Sequence, residues 1–265
     1  MLLDNGQPDS LKSMQIDKLV ALWQGYRQRG VNSIIHPDDH MFKSNPFLDD
    51  YEIVGESGLK VIHSVLAMSR KEAVYNVLDF GCGHGRVARY IRAMFPKANL
   101  SFSDIDPSCT DFCATQFSGK AVQSTADLSQ LTLPHGMDLI WVGSVFTHID
   151  YKRMEILFDK LFEALGRGGI LIATFRGHQT YEITKSRPEQ AAPYASLLEQ
   201  YETVGSGYQP YPRSVVQMGM TDWGLSLVSI EKIVALGKSH TNARLIGYSE
   251  AGWANVHDVG AWTKL

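Results

Sequence analysis

The stretch Val77-Leu78-Asp79-Phe80-Gly81-Cys82-Gly83-His84-Gly85-Arg86 restricts what this chain can fold into more than any other. The run from Tyr75 to Phe80 reads as a buried strand. Gly81, Gly83 and Gly85 read as a turn, and Val87, Ile91, Met94 and Phe95, at three-to-four spacing, read as the inner face of a helix. A missing Cβ removes a steric wall and permits positive φ, so a turn with this much glycine lets a ligand approach the backbone. A helix N-terminus beyond it offers N–H groups and partial positive charge to a carboxylate or phosphate. A strand, a glycine turn and a helix in this order belong to an α/β fold with a ligand seat at the strand's carboxyl end.

Spacing narrows the ligand. A dinucleotide turn carries glycine at its first, third and sixth positions, and here the sixth is Arg86. No Gly-Lys-Ser/Thr follows, so the turn is not a Walker-type phosphate loop. Asp79, at the strand end, suits a ligand carrying both an ammonium and a carboxylate, as the methionine part of S-adenosylmethionine does. A tight strand-to-helix turn without a ligand is the alternative reading of the glycines alone. The longer run LDFGCGHGR resembles motif I of the class I S-adenosylmethionine-dependent methyltransferases.

That resemblance implies a Rossmann-like seven-stranded sheet, mostly parallel with an antiparallel last strand, and S-adenosylmethionine held around Asp79, Gly81, Cys82, Gly83, Gly85 and Arg86. Downstream, Ser101-Phe102-Ser103-Asp104-Ile105-Asp106 matches the family's second motif, placing Asp104 against the ribose hydroxyls with Ile105 beside it. Asp106 and Pro107 have the chemistry of a helix N-cap and first helical residue. The family hydrogen-bonds the adenine from the end of the third strand, which assigns Ala126 and Asp127 here. Met137 to His148 resembles motif IV, with Gly143 and Ser144 small enough for the cofactor to lie on the backbone. The Asn/Asp-Pro-Pro-Tyr/Phe pattern of many amino-group methyltransferases is absent. Thr147-His148 stands in its place, and His148 is open to two readings: a general base for a hydroxyl, or a residue that helps start the next helix.

Before the motif strand, residues 1–70 read as a helical cap. The spacing predicts an amphipathic helix over Ser10 to Arg29, a polar stretch over 30–57 in which His36, Asp38, Asp39 and His40 form a solvated loop rather than a metal site, and a helix over Ser57 to Ser69. Residues 71–265 form the methyltransferase domain, interrupted by an insertion over 176–212 rich in tyrosine and proline and suited to a lid or binding surface. Within it, Pro188 to Tyr201 reads as one helix. Phe146, His178, Tyr211 and Arg213 are the expected substrate contacts. The chain closes with a helix over Arg213 to Trp223, a strand near Leu225 to Ile230 with a continuation to Leu236, and a strand over His257 to Thr263. Trp253, His257 and Asp258 sit just before or at the start of that strand, and His257-Asp258 is open to two readings, a pair that orients a substrate or a solvent-exposed strand end, the second preferred.

Composition excludes several classes. A net charge of −3 gives no basic footprint for nucleic acid. Three cysteines make no disulfide framework, and Cys109 and Cys113, one helical turn apart, read as core thiols. No secretory signal pattern and no long apolar run is evident, so a cytoplasmic enzyme without a membrane span or metal is expected. The combined expectation is methyl transfer to a hydroxyl of a small molecule or glycan. A cofactor-binding regulatory module without turnover and a nicotinamide-dependent oxidoreductase are the alternatives.

Overall fold

The structure is a computed structural model that describes residues 9–44, 46–69, 71, 73–212 and 223–265. The chain begins with helices α1 (Asp9–Arg29), α2 (His40–Ser44) and α3 (Leu48–Ser69). The core then alternates β1 (Asn76–Phe80), α4 (Ala88–Met94), β2 (Asn99–Asp104), α5 (Pro107–Gln116), β3 (Lys120–Gln123), β4 (Met137–Val142), α6 (Tyr151–Ala164) and β5 (Leu165–Phe175). Helices α7 (His178–Lys185), α8 (Pro188–Ala191) and α9 (Ala195–Val204) lead to β6 (Ser206–Pro210). After residues 213–222 come β7 (Gly224–Val228), α10 (Ile230–Ala235), β8 (Ala243–Trp253) and β9 (His257–Lys264).

The main sheet has the order β3-β2-β1-β4-β5-β9-β8, and β6 and β7 form a separate antiparallel pair. β1 to β5 run parallel, while β9 runs antiparallel to both β5 and β8. The order reverses between β1 and β4, and in open α/β sheets a ligand crevice forms at such a point, outside the carboxyl ends of the strands. Both faces of the sheet are covered, so its central strands are nearly continuous apolar runs: Leu78, Ile140 and Ile172 are fully buried.

Capping chemistry sets where the core helices start. The Asp106 carboxylate accepts from Ser108 N ahead of α5, with Pro107 at the first helical position. The Asp150 side chain accepts from Arg153 N ahead of α6, whose Met154, Leu157, Phe158, Leu161 and Phe162 are buried. Cys109 and Cys113 are buried free thiols.

Several local expectations are corrected. α3 starts nine residues earlier than its apolar spacing suggested, because Gly55 and Gly58 are places of close packing rather than breaks: an added Cβ at Gly55 would meet the Tyr90 ring at 2.4 Å. Asp39 is buried rather than solvated. Its Oδ1 accepts from Met41 N and Phe42 N at the start of α2, and its Oδ2 accepts from the Tyr51 hydroxyl at 2.6 Å. The expected single helix over 188–201 divides into α8, a 3₁₀ turn at Ala192–Tyr194 containing Pro193, and α9, since proline removes a helical donor. The strand near residue 225 ends at Val228 and joins β6 instead of the main sheet. Ser229 then caps α10 where a continued strand was expected, by accepting from Lys232 N. The helix expected over 213–223 lies outside the described residues apart from Trp223.

The N-terminal helices share the sheet's core. Tyr26 from α1 and Leu59, Ile62 and Val65 from α3 belong to the same buried cluster as Val77, Ile91 and Val259. The inserted region has a small core of its own, Tyr181, Leu197, Leu198 and Leu227, and the last of these comes from β7 beyond residue 212.

Candidate active site

At the carboxyl ends of β1 and β4 lies a cavity of about 180 Å³, bordered by Asp79, Gly81, Gly83 and Arg86 on one side and Gly143, Ser144 and His148 on the other. A smaller cavity of about 60 Å³ adjoins it, with Ile105, Ser124, Thr125, Ala126 and Leu128 in its wall. Gly81, Asp104, Val145 and Trp223 border both, so the two are lobes of one crevice that meet at Asp104.

The glycine turn takes the geometry that its sequence permits. Gly81, Gly83 and Gly85 have φ of +74°, +49° and +82°. A Cβ on Gly81 would strike Val145 at 2.3 Å, and one on Gly85 would strike the Phe117 ring at the same distance, so both are fixed by packing as well as by conformation. Gly83 N donates to Asp104 Oδ2 at 2.9 Å and Asp106 N donates to its Oδ1 at 3.1 Å, which orients the Asp104 carboxylate at the junction of the lobes. Burial raises its pKa. Opposite, Ser144 has φ +63° and its N–H donates to Thr174 Oγ1, which holds the Gly143-Ser144 corner against the cavity.

Asp79 is 2% exposed, and its Oδ2 is buried without a hydrogen-bond partner. Burial, then the nearby Asp104 charge, push its pKa up to about 8. Arg86 also faces the cavity. Its guanidinium lies 5.7 Å from the Trp253 ring centre and 6.0 Å from that of Tyr51, and among the described residues no carboxylate pairs with it. An orphaned acid and an unpaired cation on the rim of one cavity fit a zwitterion, the acid meeting an ammonium and the cation a carboxylate.

The chain's similarities match this geometry. The family model described as a methyltransferase domain matches residues 78–171, from the middle of β1 into β5. Over residues 78–171 the chain is similar to that methyltransferase family. Among curated proteins it is 27% identical over 128 residues to a malonyl-(acyl-carrier protein) O-methyltransferase of Bacillus cereus, covering 46% of this chain and 47% of the relative. It is 30% identical over 112 residues to a second protein of that name from Ilyobacter polytropus, covering 42% of each. The chain spans about half the length of the curated relatives it matches. Among solved structures, the magnesium protoporphyrin IX methyltransferase of Synechocystis with bound S-adenosylhomocysteine shares the fold at TM-score 0.54 and 13% identity, over 96% of this chain and 99% of that one.

S-adenosylmethionine suits the crevice by its chemistry: a zwitterionic end for Asp79 and Arg86, a diol for Asp104, and a flat base for the lobe walled by Ile105, Ala126 and Leu128. Asp127 is not part of that wall. Its carboxylate caps the 3₁₀ turn Leu128–Gln130, accepting from Ser129 N, Ser129 Oγ and Gln130 Nε2, so Ser124, Thr125 and Ala126 border the lobe instead.

The expected substrate contacts separate. Phe146 is 0% exposed and packs against Phe175 in the core. His178 sits on exposed α7, 3.7 Å from Glu182, and borders neither lobe. Arg213 lies outside the described residues. Tyr211 borders neither lobe, but its hydroxyl lies 3.2 Å from His148 Nδ1. The residues not foreseen in the wall of the larger lobe are Asp39, Met41, His84, Val87, Trp141, Val145, Trp223 and the β8-end Trp253. Trp253 is 2% exposed and Asp258 0%, so the expected exposed strand end is interior. The Tyr248 hydroxyl and Ala251 N both donate to the Asp258 carboxylate.

A proton inventory tests the zwitterion assignment. With its pKa near 8, the Asp79 carboxyl is mostly protonated at pH 7, and an arriving ammonium favours the ionised form. Calorimetric titration with S-adenosylhomocysteine at pH 7 in buffers of different ionisation enthalpy is expected to show release approaching one proton per cofactor, fading above about pH 9. Heats independent of buffer would take Asp79 out of ammonium recognition.

Proposed function

We propose that the protein is an S-adenosylmethionine-dependent O-methyltransferase whose acceptor is a small molecule and whose general base is His148. The observation that carries this reading is the state of the His148 ring. Its Nδ1 lies 3.1 Å from Gly224 O, and a carbonyl oxygen can only accept, so Nδ1 holds the proton and Nε2 keeps its lone pair. The Nδ1 hydrogen also reaches the Tyr211 hydroxyl oxygen. Trp223 stacks on the imidazole at 4.8 Å and, like His148, borders the cavity. Burial, then the positive charge of Arg176, lower the ring's pKa to about 4, which keeps the basic form present at neutral pH.

Methyl transfer from a sulfonium is a direct displacement, and S-adenosylmethionine supplies the electrophilic methyl. The protein's part is alignment, worth on the order of 7 to 11 kcal/mol of barrier where it is complete. For a hydroxyl acceptor it also removes the proton as the oxygen attacks, the role proposed for the His148 Nε2 lone pair. The names of the curated relatives, O-methyltransferases on an acyl carrier, support oxygen as the acceptor atom.

Separate titrations with S-adenosylhomocysteine and NAD⁺ test the reading. Saturable binding of the first and none of the second is expected, followed by methyl transfer to members of a pooled set of hydroxylated acceptors. Preferential NAD⁺ binding would overturn it, because Arg86 occupies the position where a dinucleotide turn carries its last glycine. Binding without any methylated product from the pool would favour the regulatory module.

A further inference from the structure

Next to His148, the end of β5 carries the Arg176 guanidinium, which no acid among the described residues balances. The β5–β9 register ends at Phe175 and Asp258, and its next step brings Arg176 opposite His257. Arg176 Nη1 donates to Thr147 O at 2.5 Å, and the guanidinium also hydrogen-bonds the Tyr211 hydroxyl. Because Tyr211 accepts from both Arg176 and His148, its own hydrogen remains available to a ligand. Among the described residues no carboxylate pairs with Arg176, and His257 Nδ1 is buried with no hydrogen-bond partner. Burial, then the charge of Arg176 and, more weakly, that of Arg86, hold the His257 imidazole in its neutral form, with its pKa down at about 3.

A guanidinium stays charged in a protein, and drawing it out of water is costly unless a counter-charge meets it. The zwitterionic cofactor brings a single carboxylate, for which Arg86 already stands on the cavity rim. Arg176, within reach of His148 and His257, is left for a second anion. We propose that the methyl acceptor is an organic oxyanion, a carboxylate or phosphate ester, whose charged group is held by Arg176, His257 and the Tyr211 hydroxyl while its reacting hydroxyl faces His148. This rests on the O-methyltransferase reading for the reacting end and adds the charge of the acceptor. Trp223 and Tyr211, both packed against the His148 ring, give the acceptor a flat wall.

The test uses full-length protein with ¹⁵N-labelled histidine, with and without saturating S-adenosylhomocysteine, and three probes: benzoate, phenyl phosphate and neutral benzamide. An anion at Arg176 raises the proton affinity of His257, so saturable displacement of its ring ¹⁵N signals, identified with His257→Gln, is expected for benzoate or phenyl phosphate and not for benzamide. Which anion acts distinguishes a carboxylate from a phosphate acceptor. Arg176→Met should weaken that response by about tenfold or more, and Arg176→Lys, which keeps the charge, should retain part of it. Affinity for S-adenosylhomocysteine should stay within about twofold of wild type in both variants. No response of wild type to either anion, an equal response to benzamide, or a response undiminished in the variants overturns the proposal. A matching loss of S-adenosylhomocysteine affinity overturns it as well, by assigning Arg176 to the cofactor. If wild type fails to bind S-adenosylhomocysteine at all, the methyltransferase reading falls, while the anion response is still read in its absence.

Discussion

Asp104→Ala is expected to weaken S-adenosylhomocysteine binding by roughly 10²- to 10³-fold, measured by calorimetry. The carboxylate lies where the two lobes of the crevice meet, with its oxygens already aimed by Gly83 N and Asp106 N. Two ribose hydroxyls donating to an ionised acceptor contribute about 1.5 kcal/mol or more each, and about 1.4 kcal/mol is a factor of ten. The same substitution removes the negative charge that helps raise the Asp79 pKa. The Asp79 carboxyl should therefore ionise more readily in the variant, and less proton release should accompany whatever binding remains. Asp104→Asn keeps an acceptor for the turn and should lose less. Affinity within about threefold of wild type in Asp104→Ala would remove the ribose assignment.

His148→Gln is expected to lower kcat by about 10²- to 10⁴-fold with S-adenosylhomocysteine affinity nearly unchanged. Glutamine preserves a donor for Gly224 O but offers no basic nitrogen. The pH dependence gives a second signature. The imidazole is the base only when neutral, that is above its pKa, and burial with the Arg176 charge has moved that pKa from 6.5 to about 4. The wild-type rate should therefore hold level from neutral pH down to about pH 5 and fall below it, without an acid limb near 6.5. Loss of cofactor affinity in the variant, or a kcat within a few-fold of wild type, would assign His148 to structure instead.

The glycine-turn half of the crevice was legible in the sequence because its chemistry is local. Glycines that need positive φ, an acid at each of two strand ends and an Asp-Pro cap lie within short runs whose backbone geometry is set by the residues themselves. Phe146 and Asp127 were misassigned although they lie in the right motifs, since which way a side chain turns at the end of a short 3₁₀ segment depends on what packs there: Phe175 for the first, Ser129 and Gln130 for the second. β8 was not foreseen because it is an edge strand. Much of it is exposed, its register shifts twice, and Ala251 has positive φ, so it lacks a period-2 apolar pattern.

From its sequence alone the chain fixes an α/β sheet and the glycine turn that borders the crevice, since three glycines, two acids and the apolar periods around them act over a few residues. Only the tertiary structure decides the acceptor side. Arg176 and His257 are far apart in sequence, and they become neighbours because β9 inserts antiparallel beside β5. Trp223 and Tyr211 reach His148 because β6 and β7 pair and bring Gly224 O against its ring. Strand pairing of this range is chosen by the burial of whole faces, and no short run of residues encodes it.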